Sequence, residues 1–198
     1  MSPWFALRLA VAGVVFGLAS TVFIELTDRF RRLARHIRFP PLRTVLGGIA
    51  TIGLALLFGR QYLGLSVPLV GEAFRGHDTS LAIPALKLLF TTVALGTAFP
   101  GGEVTPLFVI GSTLGAAMGH LLGLPVPVVA GVGFVAVFAG AANSPLACTI
   151  MAAEVFGRGV IVPAAIGCVI SYVASTHRGL YETQTPFIPK WRHLEIDQ

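Results

Sequence analysis

The chain has 198 residues, 55% of them hydrophobic and only 12% charged, with a mean hydropathy of +0.81 and a formal charge of +5. A soluble domain of this length carries about 25% charged residues, so nine acidic and fourteen basic side chains cannot clothe it for water. Disorder is excluded from the other side, because disordered chains are poor in apolar residues, and an all-α polytopic membrane protein remains.

The first apolar segment predicts a helix from about Pro3 to Ile37, ending in a charged stretch outside the hydrocarbon. Phe39-Pro40-Pro41 breaks it, and a second helix is expected from about Leu42 to Phe58. Gly64 to Asp78 reads as a loop with one short helix. The next span, about Leu81 to Phe99, is interrupted by Pro84 and carries Lys87. After Pro100-Gly101-Gly102-Glu103-Val104-Thr105-Pro106 an apolar helix runs to about Leu122. Pro125 and Pro127 open a segment to about Ala141, Asn143-Ser144-Pro145 opens one ending near Gly157, and a last span covers about Val160 to Ser175. A polar tail with Tyr181 and Lys190-Trp191-Arg192-His193 follows.

No Asp, Glu, Lys or Arg occurs from Val104 to Ala153. A bilayer-spanning helix needs roughly 20 mostly apolar residues, so this stretch holds more than one element. The segments do not alternate polar and apolar residues, as an outer-membrane barrel would. Several are too short to cross, and short, Gly/Pro-interrupted segments point to a transporter with discontinuous helices.

The chemistry concentrates at Gly101 to Pro106. Thr105 suits a helix N-cap and Pro106 the first helical position, while the glycines permit a tight turn. The N–H groups of Leu107 and Phe108 are then expected to be open donors at the positive end of the helix dipole. Non-helical backbone at membrane depth is tolerated only if buried in protein or lining a cavity. A helix start facing such a cavity binds an anion without an added cation; the alternative is a connecting turn at the membrane surface. Asn143-Ser144-Pro145 repeats the grammar, although Asn/Ser-Pro is also a common cap. Tyr181 can offer its phenolic O–H, although a tyrosine near a membrane boundary is commonly an interfacial anchor.

Other polar residues read as structural. Lys87 is expected to pair with a carboxylate or with carbonyls at the C-terminal ends of half-helices. Glu103, where the dipole favours a carboxylate, is either an anchor or a competitor for the anion. His120 is expected to be a hydrogen-bonded core histidine, and Cys148 and Cys168 small core residues without metal-ligand spacing. Gly111, Gly115 and Gly119, like Gly13 and Gly17, have the spacing of close helix packing. No cofactor or metal is implied. The arginines gather at the ends of apolar segments as membrane anchors, which argues against nucleic acid. An enzyme is not indicated: nothing ties Ser112, Ser144 and His120 together, and no HExxH, GxSxG or phosphate loop is present.

Gly101-Gly102-Glu103-Val104-Thr105-Pro106-Leu107-Phe108, followed by Ile110-Gly111-Ser112-Thr113-Leu114-Gly115, resembles the CLC family of chloride channels and anion/proton antiporters. In that family a GG-x-F/V-x-P segment starts an intramembrane helix contacting the permeating anion. The likeness continues through Ala142-Asn143-Ser144-Pro145-Leu146, Ala153-Glu154 and Gly179-Leu180-Tyr181. It looks most like the fluoride-exporting branch, since chloride-type members have an aromatic and a small residue where this chain reads Glu103-Val104-Thr105. The resemblance implies that Thr105 and Tyr181 contribute to the central anion site, with the helix start at Leu107 and Phe108. It places Glu103 beside the anion path, close to the external glutamate gate. A threonine hydroxyl can replace the water of hydrated fluoride, or equally of chloride.

CLC proteins contain two inverted repeats and work as homodimers with one pore per subunit. This chain matches the second repeat as a single transmembrane domain, 1–198, of a multi-pass protein of the cell membrane. The Gly-Arg/Lys-Glu-Gly/Ala-Pro/Thr segment with the gating glutamate belongs to the first repeat, which the resemblance implies is missing. No glutamate here takes the gating role. The dimer-interface helices would map to the first span and the last two. The positive-inside rule would place both 29–43 and 190–193 in the cytoplasm, whereas the family turns the linker between repeats outward; the motif order outweighs the charge of a single loop, so 29–43 is expected to face outward. The expected function is transport of fluoride or chloride, as a fluoride/proton antiporter when complete. The alternative is a non-transporting truncated or regulatory membrane subunit.

Overall fold

The computed structural model describes residues 2–76, 80–99, 101–176 and 179–180. Within them lie eight α-helices: α1 Pro3–Arg35, α2 Pro40–Phe58, α3 Val67–Arg75, α4 Ala82–Gly96, α5 Val104–Leu122, α6 Val126–Ala142, α7 Pro145–Phe156 and α8 Ile161–Ala174. Short 3-10 turns precede α3 at Arg60–Tyr62 and α8 at Arg158–Val160.

Proline positions explain several boundaries. Pro40 and Pro41 open α2 rather than only ending α1, because the first helical residues need no N–H partner. Pro84 does not interrupt the fourth segment; it is the third residue of α4, still in the first turn, and the helix continues to Gly96. α1, α2 and α5 are long and apolar enough to cross a membrane. At 1.5 Å per residue, α7, with 12 residues, reaches only about 18 Å of a roughly 30 Å hydrocarbon core. α3, with nine residues, is shorter still.

The centre is the antiparallel pair α5–α6. Gly123, in the left-handed region at φ 61°, ends α5 and turns the chain towards α6. A Cβ at Gly111 would strike the Gly133 carbonyl, and one at Gly133 would strike the Gly111 carbonyl, so the two backbones touch there. α6 buries residues on all sides, including Val129, Val132, Val135 and Ala139, the mark of a central helix. α1 closes one side with Leu9, Ala12, Phe16, Phe23 and Ile24 at helical spacing. α8 joins α1 to α6. A Cβ at Gly17 would lie 2.6 Å from the Ser171 carbonyl oxygen. Ser171 Oγ donates to the Ala136 carbonyl at 2.7 Å, and Ser20 Oγ lies 2.7 Å from that of Val137. Hydrogen bonds between apolar helices of this kind, with small residues at the crossings, replace the hydrophobic drive that lipid removes.

α2 has only 6% of its apolar window buried and exposes Ile49, Ile52, Leu56 and Leu57. Such a patch is a liability in water and a favourable face in lipid. Cys148 and Cys168 lie in the core as small apolar residues. His120 corrects the expectation of a core histidine: it is exposed in the last turn of α5, beyond the buried face.

Candidate functional site

α5 begins at Val104, two residues earlier than a Thr105 cap would place it. Glu103 is the cap residue, with helical φ −93° and ψ −24°, and no side chain caps the end. Pro106 is therefore the third helical residue, where its missing N–H still costs nothing. The Leu107 N–H is not an open donor, since it already donates to the Glu103 carbonyl at 3.4 Å. Phe108 lies one residue deeper, and its ring stacks on Phe134 with centroids 4.2 Å apart. The groups without a carbonyl one turn back are instead the N–H groups of Val104 and Thr105.

The Thr105 side chain differs from the deeper threonines. Thr51, Thr91 and Thr113 return their hydroxyls to carbonyls four residues earlier, at 2.8, 2.9 and 2.7 Å. Thr105, half-buried in the first turn, has no helical carbonyl behind it and no hydrogen bond to another described residue. Among the described residues, Thr105 thus presents a hydroxyl without a partner beside two N–H groups without one, at the positive end of a 19-residue helix. Small anions are recognised by such donors without a fixed counter-charge.

The antiparallel pairing brings more of the sequence's candidates to this end. Phe108 also meets Phe138 edge-on, with centroids 5.5 Å apart, so the start of α5 lies beside the end of α6. Asn143 ends α6 in the left-handed region at φ 53°, and Pro145 opens α7. Leu180 N–H donates to the Ala141 carbonyl at 2.8 Å, which fastens the 179–180 segment to the same junction. Tyr181 follows immediately and lies outside the described residues.

Two charged side chains flank the α5 start. Glu103 forms a 3.9 Å ion pair with Arg31 of α1, which also lies 3.8 Å from Asp28. The close approach of α1 and α4 permits this, since a Cβ at Gly96 would meet Phe30. Lys87 on α4 is 1% exposed and has no carboxylate partner among the described residues. Its Nζ donates to the carbonyls of Tyr62 at 3.0 Å and Gly64 at 2.7 Å and to Ser66 Oγ at 2.9 Å. Of the two partner types expected for it, carbonyls are the ones found, in and after the Arg60–Tyr62 turn rather than at the end of an α-helix, and all three ammonium protons are used. A cavity of about 530 Å³ between α2 and α4 reaches from Lys87 to Gly101, Gly102 and Pro106. Glu154 is exposed. No group of three or more metal-ligating side chains occurs among the described residues.

Residues 1–176 match the family model described as voltage gated chloride channel. The chain belongs to this family. It is 42% identical over 189 residues to the chloride/fluoride channel protein of Pseudomonas syringae pv. tomato, covering 91% of this chain and 42% of that protein. It is 28% identical over 178 residues to the H(+)/Cl(-) exchange transporter ClcA of Vibrio parahaemolyticus, covering 79% of this chain and 37% of the transporter. The fold also matches a solved CLC-type fluoride/proton antiporter with a TM-score of 0.88 and 32% identity, over 92% of this chain and 47% of that one. The chain spans less than half the length of these relatives, and the all-helical membrane fold is that of the CLC family.

The sequence marks Thr105, the turn before it and the Asn143-Ser144-Pro145 helix start, but not the pairing of Arg31 with Glu103, which joins α1 to the start of α5. In sequence, Arg31 is one of several anchoring arginines.

Proposed function

We propose that this chain is the second repeat of a CLC-type transporter that moves a small inorganic anion, fluoride or chloride, across the cell membrane. Completed by a first repeat that supplies the gating glutamate, it works as a fluoride/proton antiporter and assembles as a homodimer. Residues 1–198 form one transmembrane domain of a protein that transports rather than catalyses, with the anion and the lipid bilayer as its partners. The carrying observation is the Thr105 hydroxyl beside the first N–H groups of α5, none of them with a partner among the described residues. The proposed site adds the phenolic O–H of Tyr181, with Glu103 beside the path.

The relatives support this reading, being named for chloride or fluoride transport or for exchange with protons. The physics agrees with it. An anion bound by dipoles and hydroxyls is held weakly enough to leave again, as conduction requires, and α5 to α7 carry no Lys or Arg from Val104 to Ala153.

The test is flux from liposomes containing the complete two-repeat protein, loaded with fluoride or chloride and followed by ion-selective electrodes with a pH electrode alongside. Fluoride release with proton movement in the opposite direction is expected, and Tyr181→Ala should slow it without preventing assembly. A protein that inserts and assembles but passes neither anion contradicts the proposal and leaves the non-transporting subunit as the account.

A further inference from the structure

Among the described residues, Asn143 is the one whose buried side-chain polar atoms lack any partner: both Nδ2 and Oδ1 are shielded and unpaired. A buried amide without partners costs free energy at both ends, and a native protein keeps such a group where a ligand, ion or water completes it. Its backbone explains why the residue is Asn rather than an apolar one only in part. At φ 53° the left-handed region favours Gly or Asn, and Gly would meet that demand without burying an amide.

The location supplies the rest of the argument. Asn143 stands at the junction of α6 and α7, whose neighbouring Ala141 carbonyl holds Leu180, the residue before Tyr181. The Phe108–Phe138 contact puts this junction at the same end of the α5–α6 pair as Thr105. No acidic side chain lies on α6 or in the first turn of α7, and the Glu103 carboxylate at the α5 start is paired with Arg31 at 3.9 Å.

We propose that Asn143 is a further ligand of the anion site, an inference that rests on the function proposed above. Its Nδ2 donates to the anion, and its Oδ1 accepts a hydrogen bond from a water that stays with the anion. The amide suits a strongly hydrated ion because it replaces one water of the shell and retains another.

The experiment compares wild type, N143G and N143D in the complete transporter, by fluoride flux from liposomes and by fluoride titration in a calorimeter, with thermal stability measured in parallel. Glycine removes only the amide and keeps the left-handed backbone unstrained. Aspartate keeps the shape but replaces the donor with a charge that repels the anion. About a tenfold weaker fluoride affinity in N143G, the size of one lost hydrogen bond to an ion, and a larger loss in N143D are expected, with stability retained. Unchanged affinity and flux in N143G overturn the assignment, whether or not its melting temperature falls, because the amide then serves only packing against the first repeat. A wild type that neither binds nor transports fluoride or chloride overturns the proposed function itself, and this inference with it.

Discussion

Lys87→Met sets two large effects against each other. Methionine fits the volume and removes a buried charge whose desolvation is worth several kcal/mol. It also deletes three hydrogen bonds, to the Tyr62 and Gly64 carbonyls and to Ser66 Oγ. Tyr62 and Ser66 are buried, whereas Gly64 is exposed and its carbonyl can take water instead. The Tyr62 carbonyl is therefore left unpaired, at about 1–3 kcal/mol, and Ser66 Oγ loses an accepted bond while keeping its own donation to the Leu63 carbonyl; each lost bond to a charged donor is worth about 1.5–3 kcal/mol. With the exposed acceptor discounted, the expected loss is about 3 kcal/mol, or a melting temperature lower by roughly 6–12 °C for a protein of this size. Cys148 and Cys168, both buried and the chain's only cysteines, report the transition through a thiol-reactive dye on a temperature ramp in detergent. A higher melting temperature in the methionine variant would mean that desolvation outweighs the cage, and would refute this reasoning.

Two further substitutions test the packing. Gly111→Ala drives a methyl group into the Gly133 carbonyl, which cannot rotate away, so α5 and α6 must separate at a cost of about 1–3 kcal/mol; Gly53→Ala, inside α2 with nothing within 4 Å, should not lower the melting temperature and gains helix propensity instead. Ser171→Ala removes one interhelical bond to Ala136 and should cost about 0.6–2 kcal/mol in the same ramp, a loss that Ser171→Thr would not repair because the α1–α8 crossing is tight at Gly17.

Much of this architecture is legible in the sequence because lipid imposes it. Absent charge marks the spans, and glycines four apart on α5 mark where backbones meet. The Thr105 region stands out because Gly, Thr and Pro each restrict the backbone locally. What stays hidden depends on distant parts of the chain. Lys87 finds its acceptors more than twenty residues earlier, and Glu103 meets an arginine on the first helix. α5 starts two residues before the position its Thr105 cap signal indicates, because Glu103 adopts helical angles without a side-chain cap. His120 has apolar neighbours in sequence, yet the helix turns that position outward in its final turn.

The most direct test of the site is fluoride flux by Thr105→Ala and Thr105→Ser in the complete transporter, at matched reconstitution. If the hydroxyl binds the anion, alanine should slow release about tenfold or more, by the loss of a hydrogen bond to an ion, and serine should restore most of it. Equal flux in all three proteins, or a serine variant as slow as alanine, would contradict an anion site at the start of α5.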